Sequence, residues 1–271
     1  MGLKDELERF DSRFEKEVVE IAAVTGACGV GAGKSGKDVV WSASIGLIAW
    51  KELGAEAGIV KKEVRLEWPE PEIDGTRESK NRELEANSVV RLQVRKADSG
   101  FLLVSVLDAA YHDEELDAIL EEALKPVFYE DPELGTFELD KRVNTFERPV
   151  TWAGEEGTLC FDLDEEEDMK SAMETARQLF KDQEGWSKKI REFAAKELVD
   201  LANDWLEDDE ESDLDEITEE MFAERVGLDT MAVYPEGGFE IFFFDDDMFW
   251  GHCIIVTGNV DGEMESAEIA G

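Results

Sequence analysis

Residues 234–271 read YPEGGFEIFFFDDDMFWGHCIIVTGNVDGEMESAEIAG. Two apolar runs, Phe239 to Phe244 and Cys253 to Thr257, flank a short segment holding Asp245, Asp246, Asp247, Trp250, Gly251 and His252. Aromatic and β-branched runs on either side of a tight polar segment predict two strands and their connection. The chain stops almost directly after the second run, so this stretch predicts the end of a folded β-rich domain rather than a tail.

Working back from it, the segment from Glu207 to Glu220 is dominated by Asp and Glu and predicts an exposed, mobile loop. Thr218 is placed to cap a short helix ending near Val226. Before the loop, apolar residues recur at the helical period in two stretches. Met169, Ala172, Met173, Ala176, Leu179 and Phe180 mark a helix over about 165–181. Ile190, Phe193, Ala194, Leu198, Leu201 and Trp205 mark a second over about 186–206. Short strands are expected at Thr136–Leu139, Arg148–Trp152 and Thr158–Leu163, with Pro132 to Gly135 as a linker. The region 131–271 therefore predicts an antiparallel sheet with two long helices packed on it.

The region 1–130 has another pattern. Leu3, Leu7, Phe10, Phe14 and Val18 predict an amphipathic helix over 3–18. Strand-like runs follow at Val18–Val24, Val39–Trp50, Ile59–Trp68, Ser88–Arg95 and Phe101–Leu107. A helix over about 113–124 is ended by Pro126. Many strands and few helices predict a small β-rich barrel or roll with flanking helices. The class is α+β with two domains.

Several phrases of the second region are familiar. They are Gly135-Thr-Phe-Glu-Leu-Asp140 with Phe146 and Val150-Thr-Trp152; Phe180-Lys-Asp-Gln183 with Trp186 and Ile190 to Ala195; and Phe249-Trp-Gly-His-Cys-Ile-Ile-Val256 with Ala267 to Gly271. In this order they make residues 131–271 resemble an uncharacterised prokaryotic family, domain of unknown function 2262. The resemblance brings no activity, catalytic set or cofactor. It implies a bacterial setting in which related small domains occur near toxin and immunity genes.

Charge narrows the function. The 271 residues carry 68 acidic and 28 basic side chains, a formal net charge of −40. Such a field disfavours nucleic acid, whose phosphates attract Lys and Arg clusters. It favours encounter with a cationic protein. A solvated acidic surface and halophilic adaptation are the plainer accounts. Cys28, Cys160 and Cys253 are widely spaced and odd in number, which suits thiols in a reducing compartment. The first residues lack an apolar signal core, and no run approaches a membrane span. A cytoplasmic protein without membrane contact is the expectation.

Three constellations carry candidate chemistry. Cys28-Gly-Val-Gly-Ala-Gly-Lys-Ser35 approaches a phosphate-binding loop at Gly33, Lys34 and Ser35, with Asp108 placed as a magnesium ligand after an apolar run. Cys28 stands where the loop needs its first Gly, and strand-forming residues follow where a helix should start. The plain account is a Gly-rich turn. Asp245, Asp247 and His252 supply oxygen and imidazole donors for a divalent cation, against the plain account of a capped turn. Phe249 and Trp250 form a candidate contact patch, against the commoner role of aromatics in a core. His252 and Cys253 are adjacent, so on a strand they face opposite ways and make no catalytic pair. No convincing catalytic set is visible. The leading expectation is a non-enzymatic acidic binding protein, an immunity-type inhibitor of a cationic partner being one form. It requires no cofactor. A nucleotide-dependent enzyme or switch and a metal-binding domain are the alternatives.

Overall fold

The computed structural model describes residues 2–54, 58–73, 76–77, 83–207 and 214–271. Its contacts divide the chain into two units, Met1–Lys125 and Pro126–Gly271.

The first unit is a closed barrel. Its elements are α1 (Leu3–Asp11), β1 (Val18–Thr25), β2 (Gly31–Gly33), β3 (Val40–Glu52), β4 (Val64–Ile73), β5 (Thr76–Arg77), β6 (Val89–Ala97), β7 (Gly100–Asp108) and α2 (Glu114–Leu124). β1 lies antiparallel between β3 and β6, β6 pairs antiparallel with β7, and β7 runs parallel to β4. The antiparallel β3–β4 ladder closes the ring. The thirteen-residue β3 makes this possible. Its first half pairs with β4 and its second half with β1. Among the five long strands, the first sits between the second and fourth, and the third is parallel to the fifth. This is the Greek-key order of an OB-type barrel.

Ile21, Leu47, Leu66, Trp68, Leu92 and Phe101 fill the interior. At the parallel contact a Cβ on Gly100 would lie 2.3 Å from the Arg65 carbonyl oxygen, so only Gly admits this approach. α2 packs outside β1 through Leu116, which joins Ala22, Val24, Ala49 and Val89 in a second small core. α1 is held by Glu6, whose buried carboxylate accepts the N–H groups of Val39 (2.9 Å) and Val40 (3.0 Å).

The helix expected over 3–18 stops at Asp11. Ser12 turns back to the Arg9 carbonyl, and the Glu15 N–H already bonds Lys96 on β6. Phe14 therefore keeps its burial without continuing the helix.

Among the described residues the second unit is one eight-stranded sheet with three α-helices and a short 3-10 turn at Pro235–Gly237. Its strands are β8 (Phe128–Asp131), β9 (Gly135–Asp140), β10 (Thr145–Trp152), β11 (Glu155–Asp162), β12 (Gly227–Val233), β13 (Gly238–Phe244), β14 (Cys253–Asn259) and β15 (Met264–Ala270). They lie side by side in chain order. Every pair is antiparallel except β11–β12, which is parallel. Between those two strands run α3 (Glu166–Lys181), α4 (Gln183–Glu207) and α5 (Glu219–Arg225). A parallel pair needs such a crossover.

The core joins Leu179, Ile190, Ala194 and Ala202 from the helices to Phe161, Met231, Ile241 and Val256 from the sheet. Thr218 caps α5 by accepting the Met221 N–H. Residues 132–134 form the turn of the β8–β9 hairpin and Gly135 opens β9, so this stretch is not a linker. Asp131 accepts the N–H groups of Glu133 (3.0 Å) and Leu134 (2.8 Å) and so closes that turn. A further strand, β15, follows the second apolar run and pairs antiparallel with β14. Positions 208–213 of the acidic segment lie outside the described residues.

Candidate interaction surface

The β13–β14 connection is built around one carboxylate. Asp245 is 4% exposed and accepts the N–H groups of Phe249 (2.7 Å), Gly251 (3.0 Å) and Asp247 (3.3 Å). These bonds hold a backbone that L-residues avoid. φ is positive at Asp246 (48°), Asp247 (60°), Trp250 (56°) and Gly251 (84°). Asp tolerates this region, whereas Trp250 stores roughly 1–3 kcal/mol of strain there. Arg225 on α5 clamps the turn, with Nε and Nη2 each 2.7 Å from Asp246 oxygens.

The strained turn gives its two neighbouring aromatic side chains different burial against the same Trp205 ring. Phe249 is fully buried beside Phe222 and Trp205, whereas Trp250 is 59% exposed. The Trp250 ring lies 4.8 Å from that of Trp205, which also meets the His252 ring edge-on at 5.3 Å. His252 Nδ1 donates to the Phe249 carbonyl at 2.6 Å. Phe244, the last residue of β13, is 60% exposed at the mouth of the turn.

The sheet face away from the helices continues from Phe244. Register places Glu138, Glu147, Cys160, Ala232, Glu240 and Thr257 in one row across six strands. The next row holds Thr158, Thr230, Phe242, Ile255 and Glu268. Arg148 of β10 lines the hollow beside Glu138, Glu147 and Thr158 of this face. Burial, then the charges of Asp162, Glu147 and Glu240, push the Cys160 thiol up to about 12, which removes it as a nucleophile. Burial and the bond donated to Glu240 likewise raise Tyr234. Burial raises Cys253. The surface is thus a mixed face with carboxylates at Glu138, Glu147, Glu240 and Glu268, ending on β13 at the exposed Phe244.

The candidate metal ligands do not form a centre. Asp245 spends its oxygens on backbone N–H groups, Asp247 is exposed, and His252 is turned to a carbonyl and an indole. Among the described residues no group of three His, Cys, Asp or Glu is placed to hold a metal ion. Of the expected contact patch, Trp250 is exposed, but Phe249 belongs to the core.

Gly33, Lys34 and Ser35 do not open a helix. Gly31–Gly33 is a strand laid antiparallel on Ser42–Ser44, and β3 follows. The helix N-terminus that gives a phosphate loop its dipole and N–H groups is absent there. Lys34 and Ser35 line a hollow that Asp108 does not reach; Asp108 accepts the Ala110 N–H instead. Trp205, placed by its spacing on the apolar side of its helix, is half-buried and packs on Phe249, whereas Phe244 is exposed.

Over residues 131–269 the chain matches the model of a family described as an uncharacterized protein conserved in bacteria (DUF2262). It belongs to that family. Residues 6–123 match the model of a second domain of unknown function (DUF7021). No curated protein and no solved structure matches the chain.

Proposed function

We propose that this protein is a non-enzymatic binding protein that takes a cationic protein partner on the helix-free face and Trp250 turn of its second unit. The observation that carries the reading is the strained turn. It holds Trp250 in the solvent beside Trp205 of α4, at the connection that follows the exposed Phe244. Trp is the residue most often found as an energetic anchor at interfaces, and an indole attracts Lys and Arg through its ring face. Surrounding carboxylates would steer a basic partner and fix its register. The partner class includes a cationic enzyme held inactive, as for an immunity-type inhibitor.

The reading is tested with a Lys- and Arg-rich peptide. Reversing two exposed acids, Glu138→Lys with Glu147→Lys, is expected to weaken its binding at least tenfold at low salt, mainly through slower association. Reversing two acids elsewhere, Glu8→Lys with Glu121→Lys, changes net charge equally. Equal losses in the two doubles would defeat the assignment of the face.

A further inference from the structure

The first unit holds a feature of opposite sign. A hollow of about 550 Å³ lies where α1, the segment after β2, β3 and β4 meet. Its lining includes Arg9, Arg13, Lys34 and Arg65, with the Ser35 hydroxyl and Ser42, whose own hydroxyl donates to Glu67 at 3.3 Å. Four of the 28 basic residues of a −40 chain thus share one depression. The two carboxylates that line it are already engaged. Glu6 is bonded to the Val39 and Val40 N–H groups, and Asp38 is paired with Arg9 at 3.0 Å. The cations are also pre-ordered. The Arg13 guanidinium lies 4.1 Å from the Phe10 ring centroid and bonds Glu67, and Lys34 sits 5.1 Å over the Trp41 ring. Arg65 is exposed on β4 and makes no ion pair or hydrogen bond among the described residues.

We infer that this hollow binds the phosphoryl group of a small phosphate-bearing ligand. The Arg65 fork can match two phosphoryl oxygens, and the remaining N–H groups of Arg9 and Arg13, the Lys34 ammonium and the Ser35 hydroxyl can serve the others. A single carboxylate, with two oxygens, would leave most of these donors unused. A polyanion as long as a nucleic acid would meet the repulsion of the rest of the chain, whereas a small ligand fits inside the local field. The site uses Lys34 and Ser35 without the loop-and-helix geometry of a nucleotide-binding domain. It is independent of the surface on the second unit.

The test is calorimetric titration of the full chain with pyrophosphate and with inorganic phosphate, ionic strength being matched throughout with NaCl. Saturable binding is expected for both probes, tighter for pyrophosphate. Arg65→Ala should lower affinity roughly tenfold, the loss of one charge-assisted contact. Arg65→Lys should recover part of it. Lys62→Ala removes an exposed charge outside the hollow and should change nothing. No heat beyond the NaCl control would overturn the proposal, as would equal affinity in Arg65→Ala. Succinate binding as tightly as pyrophosphate would overturn the phosphate assignment.

Discussion

Asp245 and Trp250 divide the work of the β13–β14 turn, one holding it and the other presented by it. Replacing Asp245 with Ala leaves three backbone N–H groups without their acceptor in a nearly closed site. A loss of about 3 kcal/mol is expected, read as a lower denaturant midpoint, with Asp245→Asn costing less. Trp250→Ala should leave that midpoint within about 1 kcal/mol, since most of the indole is already solvated. The residue types were legible in the sequence, but their roles were not. Asp245 looked like a metal ligand because a carboxylate has the same oxygens whether N–H groups or an ion takes them. Phe249 and Trp250 are neighbours of similar character, and the run of positive φ through the turn leaves one buried and the other exposed.

At the scale of elements, ladders and crossovers decide what can change. Gly100→Ala would push a Cβ to 2.3 Å from the Arg65 carbonyl at the parallel β4–β7 contact. The expected loss is about 1–3 kcal/mol, measured by chemical unfolding of the first unit. Arg191 ties α4 to the carbonyls of Ala223 and Val226 and to Glu155, while Glu155 accepts the Leu228 N–H. This one cluster joins the end of α5 to β11 and β12.

Asp131 does the same for the β8–β9 hairpin, pairing with Arg177 on α3 at 2.6 Å. Burial opposes its ionisation, but the N–H groups of Leu134 and Glu133 and the Arg177 charge outweigh it and hold the carboxyl below its usual 3.8. A depressed folded pKa stabilises above the unfolded value and is lost as pH falls through the folded one. The second unit should therefore lose stability below about pH 4, and Asp131→Asn should flatten that acid limb. Helices α3 and α4 and most strands were legible from their periods. β15 was not, because Glu265, Ser266 and Glu268 break the apolar pattern along an edge strand. The barrel closure was not legible either, since it depends on β3 serving two partners.

For the whole molecule, net charge dominates. At −40, mutual repulsion opposes compaction, so raising NaCl from about 0.02 to 0.2 M should raise the melting temperature. An unchanged value would mean that the acids are already neutralised locally. No helix among the described residues is long and apolar enough to cross a membrane. Charge alone would let any basic peptide bind anywhere on such a surface, and the proposed function claims more than that. The decisive measurement is the affinity of a Lys- and Arg-rich peptide for the native chain and for Trp250→Ala, across a salt series. The account expects affinity to fall steeply with salt in both, and the variant to be at least tenfold weaker throughout. Equal affinities at every salt concentration would contradict it, because binding would then follow net charge and not the Trp250 turn.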